Sequence, residues 1–232
     1  MQKTLVVCSG GLDSVTLAYQ VKQEDMLIGL LTFDYGQRHK KEIEYAALAA
    51  QDLGVPHHIL DIANIGAFLT SSLTNTNIDV PEGHYSAQNM SSTVVPNRNA
   101  IMLTIAFGLA DTMGAQRVAL AVHGGDHFIY PDCRPEFIAQ FAKMETLALG
   151  KEPPIKLYTP YLYISKGEVA KQAVKYKVPL HKTWSCYKGG EIHCGRCGTC
   201  VERLEAIAYA QAPDLTPYAD TEFWKSTTIK NQ

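Results

Sequence analysis

Thr4–Cys8 is a short apolar run that stops at Ser9-Gly10-Gly11-Leu12-Asp13-Ser14, after which Val15, Leu17, Ala18 and Val21 recur at helical spacing. A short unbroken apolar run bounded by glycines suits a strand buried on both faces. The glycines turn the chain directly from that strand into a helix. This hand-over constrains the fold more than any other feature, because it is how one unit of a parallel α/β sheet begins.

The alternation continues. Leu27–Phe33 reads as a second strand. Lys41–Leu53 reads as a helix with Ile43, Ala46, Ala47, Ala50 and Leu53 along one stripe and Gly54 as its carboxyl-terminal cap. His58–Ile62 follows as a third strand. Residues 63–95 break the pattern: they are rich in Ser, Thr, Asn and Gly and are expected to form a long surface insertion, a candidate lid over a substrate. Asn99–Met113 is an apolar, buried helix, Val118–Val122 a fourth strand, and Glu136–Leu149 a helix introduced by Pro135. Lys156–Thr159 reads as a fifth strand and Ser165–Tyr176 as a helix capped by Ser165. The expected architecture is α/β: a doubly wound, Rossmann-like parallel sheet. Such sheets bind ligands at the carboxyl ends of their strands. Near residue 180 the composition changes and a cysteine cluster begins. Residues 1–180 are therefore expected to form the α/β domain and residues 181–232 a small helical, zinc-binding region.

The 232 residues carry 21 Lys and Arg against 23 Asp and Glu, a net charge of −2, with no dense basic run. That disfavours tight binding to long nucleic acid. No apolar stretch reaches the ~20 residues of a membrane span, and the start is too short in apolar residues for a signal peptide. A soluble, cytoplasmic protein is expected. In that compartment six cysteines read as metal ligands or buried thiols before disulfides.

Ser9–Ser14 has the composition of an anion cradle. Gly10 and Gly11 permit backbone angles that let successive N–H groups converge on one anion, and the helix amino terminus adds positive potential. Ser9 and Ser14 add hydroxyls. Asp13 suits a helix cap or a magnesium ion carried by phosphates. The Gly-Lys-Ser/Thr ending of a Walker loop is absent, and so is G-x-G-x-x-G. The alternative is a tight turn that binds nothing.

Cys186, Cys194, Cys197 and Cys200 lie within a 15-residue window, among Gly189, Gly190, Gly195 and Gly198. Four thiolates at this spacing suit a closed tetrahedral zinc site, which is structural because no position stays open. Such sites supply ~10–16 kcal/mol of apparent folding energy. Arg196 and Lys188 are candidates to offset the thiolate charge. An iron–sulfur cluster is the alternative, although the spacing matches neither common ferredoxin pattern. His181 and His193 are possible substitute ligands. Cys8 reads as a buried thiol and Cys133 as a thiol in a site loop.

The loops after strands two and four, Asp34–His39 and His123–Asp126, end at the same sheet edge, followed by Tyr130–Pro135. Charged and aromatic residues there make a binding wall. Arg98 is placed to hold a phosphate or carboxylate, or Asn99 beside it is merely a cap. Lys166 opens a helix after strand five and is either a phosphate ligand or a solvated lysine.

Ser9–Ser14 resembles the SGGxDS signature of the PP-loop ATP pyrophosphatases. With FDYGQRH at 33–39, VPNRN at 95–99, GDHFIYPDCRPEF at 125–137, SCYKGG at 185–190 and CGRCGTC at 194–200, the chain resembles the QueC-type 7-cyano-7-deazaguanine synthases nearly end to end. The 63–94 segment matches least.

The resemblance implies a PP-loop fold and a reaction in which 7-carboxy-7-deazaguanine, ATP and ammonia give the nitrile by way of an adenylated acid and an adenylated amide, with release of AMP and diphosphate. It implies ATP contacts at Cys8–Ser14 and Arg98, and catalytic roles for Asp13, Lys166 and Asp126. Substrate contacts are expected at Tyr35, Tyr130, Asp132 and Arg134, and zinc ligation at Cys186, Cys194, Cys197 and Cys200. Mg²⁺ would accompany ATP. Partners would be small molecules only, and family habit suggests a homodimer. The rivals are a PP-loop tRNA thiolase, a non-catalytic nucleotide sensor, and a variant that stops at the amide.

Overall fold

The computed structural model describes residues 1–85 and 88–227. Its first half follows the expected alternation: β1 (Lys3–Val7), α1 (Leu12–Glu24), β2 (Met26–Asp34), α2 (Lys41–Leu53), β3 (His57–Asp61) and a single turn, α3 (Ala63–Gly66). The second half runs α4 (Arg98–Thr112), β4 (Arg117–Ala119), α5 (Pro135–Leu149), β5 (Lys156–Tyr158), α6 (Lys166–Lys175), α7 (Gly198–Tyr209) and α8 (Phe223–Thr227).

The five strands form one parallel sheet in the order β3-β2-β1-β4-β5. β1 lies at the centre and is covered on both faces, which is why its sequence is apolar without alternation. Val6 and Cys8 join one core with α1, α2 and α6. Leu5 and Val7 point to the other core, with Leu103 and Phe107 of α4 and Phe141 of α5. The chain winds outward from β1 to β3 and then crosses back to β4. The order therefore reverses between β1 and β4, the position at which such sheets open a crevice.

The expected helix caps are present. Gly54 is left-handed at the end of α2 and bonds back to Ala50 O and Gln51 O. Ser165 and Glu168 make a reciprocal capping box at the start of α6. The buried stripe of α2, however, runs through Glu42, Ala46, Ala49, Ala50 and Leu53, whereas Ala47 is exposed.

Residues 63–95 differ from the surface insertion expected. Leu73, Met90 and Thr93 are fully buried, and Ser71 and Ser72 are buried with them. Tyr85 Oη donates to Asp126 Oδ1 at 3.2 Å. The segment's described residues pack against a neighbouring loop, and such contacts leave no periodic trace.

The chain beyond residue 180 is pinned to the sheet. Trp184 N donates to Gly10 O. Arg203 of α7 is completely buried and donates to Leu180 O, Thr183 Oγ1, Thr216 Oγ1 and Tyr218 Oη at 2.6–3.0 Å. Removing one member of a buried charged network leaves the others uncompensated. Arg203→Met is expected to cost about 3–5 kcal/mol and to lower Tm by about 10 °C in thermal unfolding. A shift below about 2 °C would contradict this role.

Candidate active site

A cavity of about 210 Å³ opens outside the carboxyl ends of β1, β2 and β4, at the reversal of strand order. The pocket between α3 and α4 holds about 10 Å³, room for one water at most.

One end of the cavity is built on Ser9–Ser14. Gly10 has φ +88°, and a Cβ there would lie 2.1 Å from Glu42 O and 2.7 Å from Ala46 N. Only glycine lets the loop lie against the first turn of α2. Ser9 Oγ and Ser14 Oγ stand 3.3 Å apart. The N-cap position of α1, Gly11, has no capping side chain, so the first-turn amides stay available to an anion.

Asp13 does not cap α1. Lys166 Nζ donates to its Oδ2 at 2.5 Å and lies 3.5 Å from Glu202 Oε2. Asp13 Oδ1 is buried and has no hydrogen-bond partner among the described residues. Burial raises the Asp13 carboxyl, but Lys166 and His123 outweigh it and hold it below the usual range. Burial likewise works against the Lys166 charge, and Asp13 and Glu202 more than restore it. The capping box of α6 aims the lysine by fixing its helix start. Asp126 is held by His123 N and Tyr85 Oη and lines the same end of the cavity.

The other end is aromatic. Arg98 Nη1 donates to Tyr35 Oη at 3.4 Å, with its guanidinium 5.7 Å from the Tyr35 ring and 5.9 Å from the Tyr130 ring. Tyr130 Oη and Tyr187 Oη are 3.4 Å apart. Glu42 lies in this wall. Its Oε1 accepts from Gln37 Nε2 at 3.0 Å, and its Oε2 is 3.5 Å from His39 Nε2. Burial pushes Glu42 up to about 8, against the Gln37 hydrogen bond and Arg98. Burial, with Arg98 and Arg38 nearby, lowers His39 to about 3 and keeps it neutral.

The cavity thus brings together Cys8, Ser9, Gly11, Leu12, Asp13, Ser14, Tyr35, Arg98, Asp126, Tyr130 and Lys166 of the expected residues. Gly10 lies beneath, packed on α2. Asp132 and Arg134 are not among the lining residues. Asp132 Oδ2 accepts from Asn99 N at 2.8 Å and so serves the start of α4, whereas Arg134 is exposed and donates to His127 O. Burial pushes the Cys8 thiol up to about 11 and raises Cys133 as well, so neither is a ready nucleophile. Sequence reasoning missed Glu42 and Glu202. The signal for Glu42 was an acid in register with the alanines of an otherwise apolar helix face. For Glu202 it was an acid two residues beyond the last clustered cysteine.

The four sulfurs of Cys186, Cys194, Cys197 and Cys200 lie within 4.8 Å of one another, and Cys194 and Cys200 are 3.9 Å apart. No pair is a disulfide. Metal–sulfur bonds of ~2.3 Å place tetrahedral sulfurs ~3.8 Å apart, so the donor set fits one tetrahedral ion. Backbone N–H groups of Cys194, Arg196 and Cys197 point at these sulfurs. His193 is no substitute ligand: its Nε2 accepts from Ser185 N, and its ring packs at a tilt against Trp184. Lys188 and Arg196 make their direct ion pairs with Glu82, and Arg196 also with Asp220. The cluster borders the cavity, since Ser185, Tyr187, Thr199 and Glu202 line both its flank and the cavity wall.

No helix among the described residues is long and apolar enough to cross a membrane. The family model described as "Queuosine biosynthesis protein QueC" matches residues 3–211. The 7-cyano-7-deazaguanine synthase of Rhizobium johnstonii is 59% identical over 224 residues, 97% of this chain and 95% of that protein. The protein of the same name from Brucella anthropi is 59% identical over 228 residues, 98% of each chain. Among solved structures, NMN synthetase from Francisella tularensis aligns over 93% of this chain and 89% of its own, at 14% identity and a TM-score of 0.45. With a family model spanning residues 3–211 and relatives of this identity over 95–98% of their length, the chain belongs to the QueC family.

Proposed function

We propose that this chain converts 7-carboxy-7-deazaguanine to 7-cyano-7-deazaguanine with ATP and ammonia, releasing AMP and diphosphate. The carrying observation is one cavity with a phosphate cradle and a lysine at one end and an aromatic, hydrogen-bonding wall at the other. The relatives bearing the synthase name support the substrate.

The chemistry follows from a poor leaving group. A carboxylate would have to expel oxide. Attack of its oxygen on the ATP α-phosphorus expels diphosphate and gives an acyl adenylate, a mixed anhydride from which that oxygen can leave with AMP. Ammonia then displaces AMP and leaves the amide. The amide oxygen attacks a second ATP, and loss of AMP with the N–H protons gives the nitrile. Ser9–Ser14 and the amides of α1 bind the diphosphate portion, and Lys166 neutralises charge as it builds. Arg98 and the tyrosines hold the reactants at attack distance.

Asp13, Asp126 and Glu202 outnumber Lys166 at the phosphate end, and the unpartnered Asp13 Oδ1 suits a divalent cation. Mg²⁺ bound with ATP would offset the polyphosphate charge there. The four cysteines hold a structural Zn²⁺. Residues 1–180 are the ATP-binding domain and residues 181–232 its zinc-binding region. The enzyme is cytoplasmic and homodimeric, and it acts on small molecules rather than nucleic acid.

Incubation with the acid, ATP and ammonium is expected to yield nitrile by mass spectrometry. Amide as the end product, one water heavier, would favour the truncated reaction, and no substrate-dependent diphosphate release a sensor. Lys166→Ala is expected to slow AMP formation by about 10²–10³-fold in folded protein, with a lowered Tm because Asp13 and Glu202 lose their cation; full turnover would remove the lysine from the mechanism. Cys197→Ser is expected to lose zinc and stability, and activity with them, because α7 carries Glu202. Full zinc content at an unchanged Tm would contradict the four-thiolate site.

A further inference from the structure

A carboxyl group, Glu42, and a guanidinium, Arg98, both line the aromatic end of the cavity without pairing with each other. Glu42 is 8% exposed, and no lysine or arginine among the described residues comes within 4 Å of its carboxyl group. Its Oε1 is held by Gln37, which is itself fixed by Tyr35 N and Phe33 O, while Oε2 has only His39 at 3.5 Å. Arg98 has no carboxylate within 4 Å among the described residues and is braced by Tyr35 and Tyr130. A buried acid without a cation is costly, and such groups gather where a ligand completes them.

We propose that Glu42 is the residue that reads the pyrimidine edge of the deazaguanine, its carboxylate accepting from N1–H and the 2-amino group. The inference rests on the function proposed above. A guanine-type edge presents one acceptor, O6, beside two donors, and the wall offers a guanidinium beside a carboxyl group. The ring faces of Tyr35, Tyr130 and Tyr187 suit the flat bicycle. ATP is anchored by three phosphates. The heterocyclic acid has a single anionic group, which must lie at the α-phosphorus, so its orientation has to come from its far edge. Arg98 and two ligand donors favour the ionised carboxyl over the acid that burial alone favours. The α2 turn bearing Glu42 lies directly against Gly10, which fixes the edge reader relative to the phosphate loop.

The test compares the natural acid with its 2-desamino analogue. Wild-type enzyme is expected to favour the natural acid by about 100-fold in kcat/KM, the range for hydrogen bonds to a charged group. Glu42→Gln and Glu42→Ala are expected to shrink that preference to about 5-fold or less, through KM for the heterocycle, with KM for ATP within about 2-fold. Zinc content and Tm report whether each variant is folded. Equal use of the two substrates by wild-type enzyme would overturn the proposal even if neither variant folds. So would full discrimination in the variants, or a loss confined to KM for ATP, which would assign Glu42 to adenine. No turnover of the natural acid by wild-type enzyme would overturn the functional reading, and this inference with it.

Discussion

The contact of Lys166 with Asp13, with Glu202 behind it, joins three segments far apart in sequence. Asp13 comes from the first turn after β1, Lys166 from the helix start after β5, and Glu202 from the helix that the cysteine cluster opens. A parallel sheet makes this possible, because it delivers every strand's carboxyl end to one edge. The glycine loop, the crevice between β1 and β4 and the cysteine-rich region all meet at this ion pair. Its charges are partly shielded from water, so each needs the other. An incoming polyphosphate can take over the lysine without leaving it uncompensated.

The cysteine-rich region is part of the cavity wall. Arg203 ties α7 to the chain around Leu180, and Trp184 ties the same stretch to Gly10. The cysteines fix the start of α7, and two residues beyond Cys200 the helix turns Glu202 towards Lys166. A closed metal site suits such a position, because it holds a helix end rigidly and takes no part in the reaction. The segment 63–95 packs against the same region and the neighbouring loop, with Glu82 on Lys188 and Arg196 and Tyr85 on Asp126.

Local features are legible in the sequence because local physics sets them. The unbroken apolar strand, the glycine turn, the Ser165 cap and the four-cysteine spacing each follow from residues adjacent in the chain. What escapes depends on tertiary contacts. Asp132 reads as a site acid, but its carboxylate is taken by Asn99 N. Lys188 does act on Cys194 and Cys197 as a counter-charge, but the pairing of Lys188 and Arg196 with Glu82, from a distant segment, leaves no sequence signal. Apolar spacing puts the stripe of α2 through Ile43 and Ala47, whereas it runs through Glu42 and Ala49, and an acid that faces the cavity is hidden by that offset.

In the proposed reaction one phosphate loop activates two oxygens of the same carboxyl group in turn, and isotope transfer tests this most directly. With both carboxylate oxygens labelled as ¹⁸O, the label is expected to end in AMP, one atom in each of the two AMP molecules formed per nitrile. Label in diphosphate or in water, or a single labelled AMP per nitrile, would contradict it.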